Sequence, residues 1–344
     1  MNYYLTLPMA TEWEVFLKRG WAFTRADTLD LSKLQPLLFH IGGEVGAWML
    51  EAATHPSIDP RKIQQDLDTV VQFLEEQGLS PYCLPIHHEA PTVQDTRYEA
   101  KIRGLVTEWD GQYGRGEGRN IRDLIRREMS QNAALQITVG IQGLGGVENR
   151  QTQRLFYALF WLSEQLLAYL QPNLAKHRFG LYTWCTSVRS PHTPLSYRVV
   201  EGYLEFLEKL PVLLYERDGL WHPGPVASAG NGTRKTGGLY WPVRITGLED
   251  GDGNATPNLA RIEIRTLGAM PPKDSVFAVC LVNELVLHLL SVRSLNDVPG
   301  IGEAAWRRCK ETGRCNTDVW KLFQNLERQI PLEYREHRRP RIRA

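Results

Sequence analysis

The chain has 344 residues, 42% of them hydrophobic and 23% charged, enough for one large domain or two ordinary ones with a sizeable core. A formal net charge of +1 leaves no electrostatic footprint for nucleic acid, and the one basic run, "YREHRRPRIRA" at 334–344, is a terminal patch. No uninterrupted 18-residue apolar run and no basic-then-apolar leader occur, and the five cysteines are scattered without a CxxC, so a reduced cytoplasmic protein away from the membrane is expected.

In chain order, "MATEWEVFLKRG" at 9–20 has the alternation of a strand. Glu12 and Glu14 then share one face while Trp13 and Val15 point to the other. Neighbouring carboxylates repel unless solvent or a cation lies between them, so the pair reads either as a solvated edge or as part of a metal site. "GGEVGAWMLEAATHPS" at 42–57 sets Glu44 and Glu51 in an apolar run; Glu51 would be costly to bury unpaired, and an ion pair with an arginine is the plain alternative to a ligand role.

A helix is expected at about 60–78, opened by Pro60, carried by Ile63, Leu67, Val70, Val71 and Leu74, and ended by Gly78. "GQYGRGEGRN" at 111–120 lacks a preceding strand and reads as a loop. "ALQITVGIQG" at 134–143 reads as a strand and about 150–171 as a long helix; helices follow at 196–209, 274–293 and 316–329. "ASAGNGTRKTGG" at 227–238 suits a surface loop or a flap over phosphates. "GGLYWPVRITG" at 237–247 and "ARIEIRTLG" at 260–268 are further strands, the latter placing Glu263 and Arg265 on one face. Regular strand-helix alternation with a phosphate-cradling glycine motif is absent, which excludes a doubly wound nucleotide fold. Cys309 and Cys315 lie six apart without nearby histidines, a poor zinc pattern.

Three strands thus carry carboxylates into apolar surroundings, and arginines accompany them, a combination suited to divalent ions and phosphate transfer. From about residue 9 to 290 these segments resemble, in matching order, the motifs of the glutamate–cysteine ligase superfamily of carboxylate–amine ligases. "TEWEVF" resembles its opening Glu-x-Glu strand, with Ala10 and Thr11 where a glycine usually precedes. "EVGAWMLEAATHP" resembles its acidic strand and gives Glu51 and Glu44; "LPIHHEAPTVQDTRY" gives Arg97 and Tyr98; "MSQNAALQITVGI" gives Gln136; "LYWPVRITG" gives Arg244; and "RIEIRTLG" gives Glu263 and Arg265. Gly268 stands where the last signature closes with aspartate, the Trp184 to Arg189 spacing is altered, and "EDGDGNATPN" is inserted before Glu263. These departures concern the substrate more than the phosphate apparatus.

The resemblance implies an α+β fold: a curved antiparallel sheet forming a funnel-like site, with helices on its outer face, over residues 1–295, and a helical extension with a basic tail over 296–344. It implies ATP and two or three Mg2+ ions, with Mn2+ a possible substitute, held by Glu12, Glu14, Glu44, Glu51, Gln136 and Glu263. Arg244 and Arg265 would clamp phosphoryl oxygens, and Arg97, Tyr98, Arg189 and Arg198 would hold substrate, though Arg189 and Arg198 read more readily as surface arginines. The implied reaction joins glutamate or a related amino acid to cysteine or another amine through an acyl phosphate. A non-catalytic or phosphotransferase relative of the same fold is the alternative. His55, His87 and His88 fall near the implied site but read more readily as structural than catalytic.

Overall fold

The protein is described here by a computed structural model covering residues 3–43, 48–83, 133–145, 149–172, 214–217, 220–223, 243–246 and 260–335. Its centre is an eight-stranded sheet in which every pairing is antiparallel. The strands are β1 (Met9–Arg19), β2 (Ala22–Thr24), β3 (His40–Gly43), β4 (Met49–Ala53), β5 (Ser80–Tyr82), β6 (Ala134–Gly140), β9 (Val243–Thr246) and β10 (Arg261–Gly268); β7 (Leu214–Arg217) and β8 (Leu220–Pro223) form a separate hairpin. The path runs β3-β4-β1-β6-β10-β9, with β2 and β5 paired to the far end of β1. The α+β class and the antiparallel sheet stand as expected, and the described strands form an open sheet.

The solvated-edge reading of Glu12 and Glu14 is overturned, because β1 is an interior strand flanked by β4 and β6. Its alternation is that of a strand with two different jobs. Trp13, Val15 and Leu17 are fully buried on one side, and the Trp13 indole donates to the Met270 carbonyl at 2.8 Å. That bond satisfies the indole at the start of the helix Pro272–Ser291, which packs on β1.

Three helices build the layer behind the sheet. Pro60–Glu76 begins as expected, with Asp59 accepting from the Arg61 amide at 3.0 Å and Pro60 in the first turn; Gly78, at φ +67°, closes it. Arg150–Leu170 is capped by Asn149 and packs against β9 and β10. Pro272–Ser291 is long and apolar enough, by length and composition, to cross a membrane, but 72% of its apolar window is buried inside the protein. It serves as the core helix, contacted by Pro60–Glu76 on one side and Arg150–Leu170 on another.

The described residues after 295 fold onto this layer. Trp306 of the helix Glu303–Thr312 packs edge-on to Trp161, and Trp320 and Phe323 of Thr317–Glu327 pack on Tyr169, whose hydroxyl donates to Glu327. Gln165 ties the same region by donating to the Ala305 carbonyl and accepting from the Asn316 amide. At the other terminus Tyr3 donates to Glu284 at 2.5 Å, and burial, with Cys280 and the Glu284 carboxylate nearby, raises its pKa. The expected helix at 196–209, the loops at 111–120 and 227–238, and the tail beyond 335 lie outside the described residues.

Candidate functional site

Register places the carboxylates. Directly opposed residues on adjacent strands lie on the same face with their Cβ atoms about 4.5–5.5 Å apart. Glu14 opposes Glu51, Glu12 opposes Gln136, Glu263 opposes Thr138 on one side and Arg244 on the other. Because Gln136 and Thr138 are two apart on β6, all four glutamates share the face opposite the helices. Arg265 follows Glu263 by two, next to a register shift between Ile264 and Leu267, and Arg261 follows the same parity at the other end of β10.

The side chains on this face form a connected chain. The Ala134 amide donates to Glu14 Oε2 at 2.8 Å, and the Gln136 side-chain amide donates to Glu14 Oε1 at 2.9 Å. Arg265 Nε in turn donates to Gln136 Oε1 at 3.0 Å and stands 3.0 Å from Glu263 Oε1. The Nε–H is aimed at Gln136 Oε1, so the hydrogen bond goes to Gln136 and the contact with Glu263 is an ion pair. The amide orientation of Gln136 follows from chemistry, since a guanidinium only donates and must meet its oxygen.

Burial sets how strongly these groups need one another. Glu263 is 1% exposed and Glu14 7%, whereas the side chains of Arg265 and Glu51 are 22% and 19% exposed. A carboxylate as deeply placed as Glu263 requires a cation or a proton, and Arg265 supplies the cation. For Glu51 the expected alternative was an arginine; the partner seen on β3 is His40, with Nε2 3.9 Å from Glu51 Oε1. His40 opposes Ala53 and so lies on the same face, a residue that the sequence reading did not single out.

The donor set is made of hard oxygens, which suits Mg2+ or Mn2+. Among the described residues, however, no three His, Cys, Asp or Glu side chains are gathered into a ready metal cluster. Glu14 and Glu51 are directly opposed, and Gln136 and Arg265 lie between Glu14 and Glu263. Gln136 Oε1 already accepts from Arg265, so an ion at that oxygen would have to share it, which makes the glutamates the better ligands in this arrangement. Glu44, Arg97, Tyr98, Arg189, Arg198, His87 and His88 lie outside the described residues; Arg244 is placed by its backbone register alone. His55 is half exposed and pairs with Asp66 through its backbone N–H and its ring, which makes it a structural histidine at the start of the first helix.

No family model and no curated protein matches the sequence. In structure, the chain is similar over 95% of its length to a bifunctional glutathione synthetase from Pasteurella multocida, with 14% identity and a TM-score of 0.51; it spans 45% of that longer chain. It is also similar, at 10% identity and a TM-score of 0.43, to a novel glutamine synthase homolog, covering 94% of this chain and 67% of that one. The first likeness establishes a shared fold.

Proposed function

We propose that the acidic face is the active site of an ATP-dependent carboxylate–amine ligase. The observation that carries this reading is the placing of Glu12, Glu14, Glu51 and Glu263 on one face of an interior antiparallel sheet, with Arg265 among them and Arg244 in register with Glu263. Burying that much like charge on a central sheet destabilises the fold by several kcal/mol unless it is paired, which asks for a reason beyond architecture. The fold shared with a protein named a glutathione synthetase supports the same reading.

In this proposal the sheet lines a funnel, and Glu12, Glu14, Glu51 and Glu263, with Glu44 and Gln136, hold two or three Mg2+ ions. Such ions neutralise phosphate charge and fix the phosphate chain in place. Arg265, held by Gln136 at Nε, has its guanidinium plane fixed, and it and Arg244 are the proposed clamps on the phosphoryl oxygens. The carboxylate of an amino acid, glutamate being the leading candidate, attacks the γ-phosphorus of ATP and expels ADP. An amine, from cysteine or another small molecule or peptide, then attacks the acyl carbon of the mixed anhydride and expels phosphate. Water must be kept out between the steps, a task assigned to the segments 111–120 and 227–238. Arg97, Tyr98, Arg189 and Arg198 are the proposed substrate contacts, and the cytoplasm is the proposed compartment.

The test is ADP release by the purified protein with Mg-ATP, glutamate and a panel of amines including cysteine, with product masses read in parallel. A product lighter by one water than acid plus amine, formed only with both, would establish the ligation and name its substrates. Absence of both turnover and metal-dependent ATP binding would remove the reading.

A further inference from the structure

We infer that His40 is a nitrogen ligand at the β3 side of the acidic face, shared with Glu51, and that it gives this ion position a preference for Mn2+ and related transition ions over Mg2+. The inference rests on the metal-site reading above and adds a residue and a selectivity to it.

Three observations converge on His40. Its strand position puts it on the acidic face, and its side chain is 58% exposed rather than packed into the core. Its Nε2 lies 3.9 Å from Glu51 Oε1, too long for a hydrogen bond between them. Two donors about 2.1 Å from one octahedral ion are about 3.0 Å apart when adjacent and about 4.2 Å apart when opposite, and the observed gap is close to the opposite arrangement.

The third observation is Gly42, which opposes Glu51 directly. A Cβ there would stand 3.3 Å from His40 Nε2 and 3.6 Å from Cε1, so the imidazole lies over the glycine in the space that a side chain at 42 would occupy. The missing side chain is what lets the ring reach toward Glu51. An imidazole among carboxylates shifts the ion preference, because Mg2+ favours oxygen ligands while first-row transition ions accept nitrogen readily.

The experiment is Mn2+ titration of the full chain followed by electron paramagnetic resonance, with Mg2+ competition and with nitrogen modulation of the bound-ion signal. Wild type is expected to bind Mn2+ more tightly than Mg2+ and to show the modulation of a coordinated imidazole. His40→Ala is expected to lose that modulation and to weaken Mn2+ binding on the order of 10- to 100-fold, with a far smaller change for Mg2+. His40→Asp restores ion binding with the preference moved to Mg2+ and no modulation, and Gly42→Val, which fills the ring's place while keeping the histidine, weakens Mn2+ binding as His40→Ala does. Unchanged Mn2+ affinity and modulation in His40→Ala overturn the role of His40 and leave the ligase reading standing. Absence of any Mn2+ or Mg2+ binding by wild type, alone and with ATP, overturns both.

Discussion

Replacing Arg265 with methionine tests whether the acidic face is held together by charge. The substitution keeps most of the side-chain length but removes the cation 3.0 Å from Glu263, which is 1% exposed, and the donor to Gln136 Oε1. Breaking a buried ion pair by removing one partner costs about 3–5 kcal/mol, with the lower end apt here because Arg265 is itself 22% exposed and water can enter its place. The orphaned Gln136 oxygen adds about 1 kcal/mol, for a total of about 4 kcal/mol. The assay is urea unfolding of wild type, Arg265→Met, Glu263→Leu and the double variant as a cycle. Removing both partners leaves no stranded charge, so the double variant is expected within about 1–2 kcal/mol of wild type and far above the sum of the singles. An Arg265→Met protein within about 0.5 kcal/mol of wild type, or a strictly additive cycle, would refute the reasoning and mean that Glu263 does not rely on Arg265.

Three further outcomes follow from the same structure. Glu14→Gln places an amide nitrogen against one of two donors, the Ala134 amide or the Gln136 side chain; it should cost about 1–3 kcal/mol in stability and, under the ligase reading, lower ADP release on the order of 100-fold. Burial pushes the thiols of Cys83 and Cys315 up to about 12, and those of Cys280 and Cys309 upward as well. The unfolded chain therefore loses these protons first, and stability should fall as pH rises from about 9 toward 12 by up to about 1.4 kcal/mol per pH unit for each thiol. Urea midpoints at pH 8 and pH 10.5 check the sign, and thiol labelling at pH 8 should leave all four unmodified until the protein unfolds. Gly300→Ala should destabilise at least twice as much as Gly20→Ala in the same assay: both glycines have positive φ, but a Cβ at Gly300 would meet Val319 Cγ2 at 2.3 Å while one at Gly20 meets nothing.

The elements that were legible in the sequence are those whose signal is local. The alternation of Glu12, Trp13, Glu14 and Val15 gives both faces of β1, and Pro60, the apolar spacing and Gly78 give the first helix nearly to its ends. What alternation alone could not say is whether β1 lies at an edge, because its neighbours come from residues 49–53 and 134–140. His40 was invisible for the same reason: its relation to Glu51 exists only across the β3–β4 pairing. The Glu303–Thr312 helix was missed because Gly302 offers no capping side chain and the apolar spacing rests on little beyond Trp306 and Cys309. The β7–β8 hairpin had a usable signal, Asp218-Gly219 between "LYER" and "LWHP", which is a strong two-residue hairpin loop pattern.

The alternation of β1 also bears on how separable fold and chemistry are. Odd positions of β1 face the helices: Trp13, Val15 and Leu17 are fully buried and Trp13 locks the core helix through Met270. The glutamates at 12 and 14 face the other way, so changing them leaves that core intact. The separation is incomplete at Glu14, whose carboxylate accepts a backbone amide of β6 and therefore helps to join two strands as well as to line the face. It is incomplete again at Gln136, whose oxygen can serve Arg265 or an ion but not both with full strength. An ion drawn to that oxygen would loosen Arg265 from Gln136 while Glu263 still holds it at the face, so under the ligase proposal ion loading and arginine position would be coupled through a single amide. Gln136→Leu removes that coupling without removing a charge. It should leave Glu263 and Arg265 paired, so the coupling energy of the Arg265–Glu263 urea-unfolding cycle should persist in the Gln136→Leu background, and loss of that coupling would mean that the amide is needed to position Arg265.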